Sequence, residues 1–261
     1  MSSVDLTETK QGGLRTLFIT MMVFPTVVVL VRVWSRALLP DPSLSKVSVP
    51  TTSKFWWDDW TIIIAAVLNI AVCAIGLRML QLGLGLHVQV VSSGDVESFL
   101  KILWAVYFVF DTGTALSKSS ALFFYARIFG VSNAKFKYAL WVLHALNIIW
   151  LVIILFFVIF MCDPVESAWD IKGGGKCLNT GLIWQGSGIS SLIIDVLILI
   201  MPLPMLWKLR MRTIQKMQVS AVFMCGYLVV VVSIGRLVTI IEAGNELDSD
   251  VTCTAFYFSI R

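Results

Sequence analysis

The sequence predicts an all-α membrane protein that crosses the bilayer six full times and opens a seventh span at its end. Three observations predict it. Six long apolar runs occupy residues 17–33, 60–80, 99–117, 139–161, 182–207 and 219–241, and a bilayer-spanning helix needs about 20 mostly apolar residues. Hydrophobic residues make up 58% of the 261 residues and mean hydropathy is +0.87, beyond what a water-soluble domain of this size sustains. The basic residues between the runs fall mainly on alternate connections, as they do in polytopic proteins.

The first run is longer than the apolar core of a signal peptide, and Trp34-Ser35-Arg36 after it lacks a small-residue cleavage pattern. It reads as a retained anchor preceded by an extracellular segment, residues 1–16, with residues 17–261 forming one transmembrane domain. A Ser/Pro-rich stretch, 40–50, links the first two spans. Trp56, Trp57 and Trp60 open the second span, where indole rings favour the membrane interface. Lys101 and Lys118 bracket the third run and are expected to snorkel to the two interfaces. Pro202 and Pro204, late in the fifth run, each remove a backbone donor and are expected to kink it. Arg236, in the outer third of the sixth, is expected to reach the interface or pair with Glu242. Residues 251–261 look like the start of a seventh span, but at about 1.5 Å per residue they cover only about half of a hydrocarbon core. The chain is therefore expected to be incomplete at its C-terminus, through a truncated gene model or a shortened paralogue, unless the stub folds against its neighbours.

Charge sets the orientation. The first, third and fifth connections hold Arg32, Arg36, Lys46, Lys54, Lys118, Arg127, Lys135, Lys137, Lys208, Arg210, Arg212 and Lys216, twelve of the twenty basic residues. The N-terminus and the second and fourth connections with their flanks hold six: Lys10, Arg15, Arg78, Lys101, Lys172 and Lys176. The sixth connection is acidic, with Glu242, Glu246, Asp248 and Asp250. Positive-inside logic puts the N-terminus outside and the three basic connections in the cytosol. The net charge of +4 is thus a topology signal, and nucleic acid is not an expected partner.

Cys162 and Cys177 share the fourth connection, on the side where oxidising conditions let thiols pair. They are the expected disulfide; two free thiols, or a rival bond to Cys253, are the alternatives. Cys73 and Cys225 lie inside spans as small apolar side chains. No other cluster with metal-ligand or catalytic spacing is legible. His87 and His144 fall on opposite sides of the membrane, and Gly83 and Gly85 follow no strand and miss the spacing of a nucleotide loop. The expectation is a non-enzyme without cofactor or metal.

Several segments taken together resemble a known family. Trp57-Asp58-Asp59-Trp60 enters the second span and Gly83-Leu84-Gly85-Leu86-His87 follows it. Leu116-Ser117-Lys118-Ser119-Ser120-Ala121-Leu122-Phe123-Phe124-Tyr125-Ala126-Arg127-Ile128-Phe129 closes the third. Cys162-Asp163-Pro164, Gly175-Lys176-Cys177-Leu178-Asn179, Asp195-Val196-Leu197-Ile198-Leu199-Ile200-Met201-Pro202-Leu203-Pro204 and Ser233-Ile234-Gly235-Arg236-Leu237 come after in that order. From about Val23 to Arg261 the chain resembles the fungal rhodopsin-like integral membrane proteins. That family includes the satratoxin-cluster integral membrane protein and is related to receptor-like proteins of filamentous fungi. The resemblance implies a seven-helix rhodopsin-like bundle, six spans complete and the seventh truncated, with its N-terminus outside a fungal membrane. It does not imply a pigment, because retinal proteins hold the chromophore on a lysine deep in the seventh helix and no such lysine precedes Arg261. Two departures stand out: most of the seventh helix is missing, and Asp111 occupies a position expected to be apolar.

Polar residues inside the spans carry the remaining chemistry. Counted at about 1.5 Å per residue, Asn69, Asp111, Asn147 and Asp195 lie near the midplane. Thr114, His144 and Ser191 stand three or four residues from Asp111, Asn147 and Asp195, on the same helix faces. A carboxylate at that depth costs a few kcal/mol on insertion scales, so both are expected to face the interior and to share polar partners. Such residues either line a pocket for a small molecule or ion, or serve as interhelical hydrogen-bonding glue. Three roles compete: a receptor-like sensor with a cytosolic signalling partner at the basic loops, a transport or accessory protein of secondary-metabolite biosynthesis, and an intramembrane enzyme. The first is preferred, in the plasma membrane or an endomembrane. The second lacks visible inverted repeats, and the third lacks a nucleophile–base pair.

Overall fold

The computed structural model describes residues 11–38, 56–81, 93–129, 134–169, 175–178, 180–203, 223–224, 226–235 and 237–238. They are almost entirely helical: α1 (Gln11–Ala37), α2 (Trp57–Gln81), α3 (Ser93–Phe129), α4 (Ala134–Ile159) and α5 (Thr180–Ile200). All five are long and apolar enough to cross a membrane. A shorter apolar helix, Gly226–Gly235 (α6), lies within the expected sixth run. The stub at 251–261, residues 1–10, the linker at 40–50, His87, Pro204, Cys225, Arg236 and Cys253 lie outside the described residues.

α3 is the axis of the bundle. It packs on α2, α4 and α5, while α1 packs chiefly on α2. One apolar core joins α3, α4 and α5 through Leu122, Leu143, Trp150, Ile154 and Ile194. A second joins α1, α2 and α3 through Leu14, Met79 and Phe99. The opposite helix faces turn large apolar side chains outward, including Phe24, Leu30 and Trp34 on α1 and Val152 and Phe156 on α4. Water would penalise so much exposed hydrocarbon, whereas lipid solvates it. The protein is a multi-pass membrane protein.

Several boundaries differ from the sequence expectation. α1 begins at Gln11 rather than at 17, because Leu14 is fully buried against Met79 and Phe99 and extends the helix into the expected extracellular segment. α3 continues to Phe129, twelve residues past the expected end at 117. Its 37 residues span about 55 Å, well over a hydrocarbon core of about 30 Å. α5 is interrupted at Met201–Pro202, after Met201 N–H closes the last turn on Leu197 O at 3.1 Å.

Pro25 sits inside α1 and cannot donate to the carbonyl four residues earlier. That carbonyl, Met21 O, accepts instead from Asn69 Nδ2 of α2 at 3.0 Å. Asn69 therefore compensates for a proline on the neighbouring helix, as backbone groups inside lipid must be satisfied. Asn69→Leu is expected to destabilise the protein by about 1–3 kcal/mol, the cost of an orphaned carbonyl facing hydrocarbon. Pro25→Ala should remove most of that penalty, since an alanine N–H restores the bond. Thermal melts of the two single variants and the double variant in detergent check the coupling; additive effects would refute it.

At the end of the bundle where α4 finishes, residues 160–169 and 175–178 form a small cap. Cys162 is disulfide-bonded to Cys177, and Cys162–Asp163 (β1) pairs antiparallel with Lys176–Cys177 (β2). A 3-10 turn, Val165–Ala168, leads to Trp169, whose ring packs edge-on against Trp104 of α3 at 5.5 Å. Trp104 Nε1 in turn donates to Val158 O at 3.1 Å, tying α3 to α4 beneath the cap. In the chain-entropy account a loop of 15 residues closed this way contributes about 3 kcal/mol.

Candidate functional site

Lys118 is the residue that the sequence expectation misplaced. It does not snorkel: with α3 running on to Phe129, it stands nine residues, roughly 13 Å, inside the level of Arg127. It is buried, and its ammonium has three protein partners. Lys118 Nζ lies 3.1 Å from Asp195 Oδ1. It also donates to Ser191 Oγ at 2.7 Å and to Ser191 O at 2.8 Å. The same nitrogen is 5.3 Å from the centre of the Trp150 ring, a cation–π distance. The ammonium is thus held between polar oxygens of α5 and an aromatic face of α4.

α5 supplies the anion because Ser191 and Asp195, four residues apart, share one face. The second carboxylate oxygen, Oδ2, accepts from Ser233 Oγ of α6 at 2.9 Å. One ion pair therefore links α3, α5 and α6. An isolated charge at this depth would be expensive, and a paired, hydrogen-bonded one is the arrangement that tolerates burial.

Asn147 of α4 completes the polar core from the other side. Fully buried, it donates to Ala115 O at 2.9 Å and to Ser119 Oγ at 3.1 Å. Its Oδ1 is buried without a hydrogen-bond partner among the described residues. Asp111 is buried on α3, seven residues before Lys118 and on the same helix side.

The expected local pairs sort differently from the spacing. Thr114 Oγ1 donates to its own helix at Phe110 O, 2.9 Å away. Ser191 accepts from Lys118, and Asn147 turns to α3 backbone and Ser119. None of these bonds runs to a carboxylate; Asp195 receives Lys118 and Ser233. At Asp195 the Lys118 ammonium is a stronger partner than a neutral donor, and Ser233 takes the other oxygen. Asn69 bonds to α1 instead of to this network.

A second charged cluster occupies the opposite end of the bundle from the disulfide cap. Asp58 and Asp59, in the first turn of α2, are 0% and 1% exposed. Arg32 of α1 grips both, with Nη2 at 2.6 Å from Asp58 Oδ2 and Nε at 3.0 Å from Asp59 Oδ1. Arg127 of α3 approaches Asp58 Oδ1 at 3.4 Å and Asp59 Oδ2 at 3.5 Å, and Arg36 is 3.8 Å from Asp59. Asp59 Oδ2 also accepts from Trp56 N–H at 3.4 Å, capping α2, and Ser120 Oγ donates to Asp58 O at 2.8 Å. Acidic side chains suit a helix N-terminus, and guanidinium forks suit two carboxylates at once. The sequence reading counted the arginines as loop charges and missed this lock. Its signal was an Asp-Asp pair starting a span on the membrane side where the basic residues gather.

Among the described residues no group of three or more His, Cys, Asp or Glu stands close enough to hold a metal. The arrangement pairs buried charges between helices and leaves Asn147 Oδ1 and His144 Nδ1 without a hydrogen-bond partner among the described residues.

Residues 45–260 match the fungal rhodopsin domain. The chain belongs to that family. Among its relatives is wortmanamides biosynthesis cluster protein C of Talaromyces wortmannii, 26% identical over 189 residues covering 71% of this chain and 52% of the relative. Another is a SAT4 family membrane protein of Emericella nidulans, 25% identical over 178 residues, 66% of this chain and 47% of the relative. A third, fugralins biosynthesis cluster protein 2 of Gibberella zeae, is 32% identical over 89 residues, 34% of this chain and 22% of the relative. The chain spans about half the length of the first two. No solved structure matches this fungal rhodopsin domain.

Proposed function

We propose that this fungal rhodopsin domain is a receptor-like sensor without retinal, acting in the plasma membrane as a seven-helix bundle and catalysing no reaction. Runs 182–207 and 219–241 and the segment from 251 would supply its fifth, sixth and seventh helices. The observation that carries the reading is the buried Lys118–Asp195 pair, bonded through Ser233 to α6. A single ion pair joining three helices is a two-state element: a ligand or proton that competes for either charge shifts the helices it joins. Asn147 Oδ1, without a hydrogen-bond partner among the described residues, offers a small molecule an acceptor in the same core. Lys118 is no chromophore lysine in this reading, because its ammonium is held by Asp195 and Ser191.

Two independent features support an orientation with the N-terminus outside. The cap carries a disulfide, which belongs in an oxidising compartment. The opposite end carries Arg32, Arg36 and Arg127, which favour the cytosol. The N-terminus is then outside, and the basic cytosolic loops are the docking place for a signalling partner. Cysteine introduced at position 172 should react with an impermeant maleimide in intact cells, while cysteine at 135 should react only after permeabilisation. The reverse pattern would overturn the orientation.

The names of the relatives favour a second reading, an accessory or transport protein of secondary-metabolite biosynthesis. Deleting the gene separates the two. A sensor is expected to change transcription of metabolite genes, with wild-type but not Asp195→Asn complementation restoring it. An accessory protein is expected to leave those transcripts unchanged while product is lost or retained in the cells. No change in either would refute both.

A further inference from the structure

Between the arginine-lock ends of α2, α3 and α4 lies a cavity of about 580 Å³, within the span of about 300–1,000 Å³ common for small-molecule sites. Its aromatic walls are Trp57 of α2 with Trp56 just before it, Phe123 from α3 and Trp141 from α4. Only two lining residues are polar. Lys137 is exposed on the first turn of α4, at the mouth. His144, two turns deeper, packs against Phe123 with the rings tilted and their centres 4.9 Å apart, and its Nδ1 is buried without a hydrogen-bond partner among the described residues.

We propose that this cavity binds an anionic phospholipid of the cytosolic leaflet. One acyl chain fills the aromatic slot, the headgroup phosphate meets Lys137, and an ester oxygen pairs with His144. The polarity gradient argues for this occupant. A cation sits at the interface level, one buried polar atom lies below it, and apolar walls surround both, which matches headgroup, ester and chain in order. Trp57 and Trp141 are 66% and 63% exposed, as indoles are where headgroup meets hydrocarbon. Basic pockets between transmembrane helices on the cytosolic side are recurrent headgroup sites. The leaflet assignment rests on the orientation proposed above; the cavity and its chemistry do not.

The test uses the full chain in phosphatidylcholine nanodiscs, which present the same lipids to both faces and so work whichever way the protein is oriented. Tryptophan quenching by acyl-dibrominated phosphatidylserine is compared with quenching by acyl-dibrominated phosphatidylcholine. The expected result is about a five-fold preference for the serine lipid, the effect of one basic residue beside an anionic headgroup. Lys137→Gln, at an exposed position, should bring the ratio to one. Ala126→Phe, which puts a ring into the cavity, should remove the preference by blocking the chain. Equal quenching by the two lipids in the wild type, or a preference that survives Lys137→Gln, overturns the proposal. So does displacement of the brominated lipid by ergosterol or by free palmitate, which would identify a sterol or fatty-acid site.

Discussion

Lys118→Met is expected to lower folding stability by about 3–5 kcal/mol, because it leaves the Asp195 carboxylate buried without its cation. Asp195→Leu should cost a similar amount by stranding the ammonium. The double variant should recover most of the loss, since replacing a whole buried ion pair by apolar side chains is often neutral or stabilising. Asp195→Asn keeps the shape and an acceptor for Ser233 but removes the charge facing Lys118. If the pair is only packing glue, the double variant should behave as wild type in every functional assay. If the charge is the switch, the double variant should reach the cell surface and melt normally yet give no response. Thermal unfolding in detergent, with surface expression alongside, decides the energetic half. Additive losses in the double variant would show that the two groups are not coupled.

The second large effect is expected at the arginine lock. Asp59→Ala should cost about 3–5 kcal/mol, because Arg32 and Arg127 lose a wholly buried counter-ion and Trp56 N–H loses its cap. Asp58→Ala should be comparable, and the two together less than additive, since both serve the same guanidinium groups. Arg36→Gln should change stability by no more than about 1 kcal/mol, its nitrogen standing 3.8 Å away as a peripheral partner. The ranking is the sharp part of the expectation. Melting temperatures that place Arg36→Gln beside the aspartate variants would contradict the geometry. Because the lock ties α1, α2 and α3 together, its loss should also loosen α1, detectable as faster proteolysis of the connection between α1 and α2.

The two clusters explain what a linear reading of this chain can and cannot see. Hydropathy and charge alternation located the helices α1 to α5, and the shared connection of Cys162 and Cys177 pointed to their disulfide. These are local properties: apolar length is set by the bilayer and charge placement by the side of the membrane. The polar character of Asn69, Asp111, Asn147 and Asp195 was equally plain, since a costly residue inside a span announces itself. Their partners were not. Lys118 looked like an interfacial residue because an apolar count ends where Ser117, Lys118, Ser119 and Ser120 begin, although the helix continues to Phe129. Asn69 looked like a fellow of the core, yet it answers the carbonyl that Pro25 leaves free on the neighbouring helix α1.

The amino-acid sequence by itself determined that this protein lives in a bilayer, roughly where α1 to α5 lie, which connections carry the basic residues and that Cys162 and Cys177 share one of them. Only the tertiary structure decided that Lys118 neutralises Asp195, that Arg32 and Arg127 converge on Asp58 and Asp59, and that three aromatic helix ends enclose a cavity. The physical reason is that an ion pair or a pocket depends on the relative rotation and depth of different helices. Those are fixed by side-chain packing around α3, between residues far apart in the chain, and no local pattern encodes them.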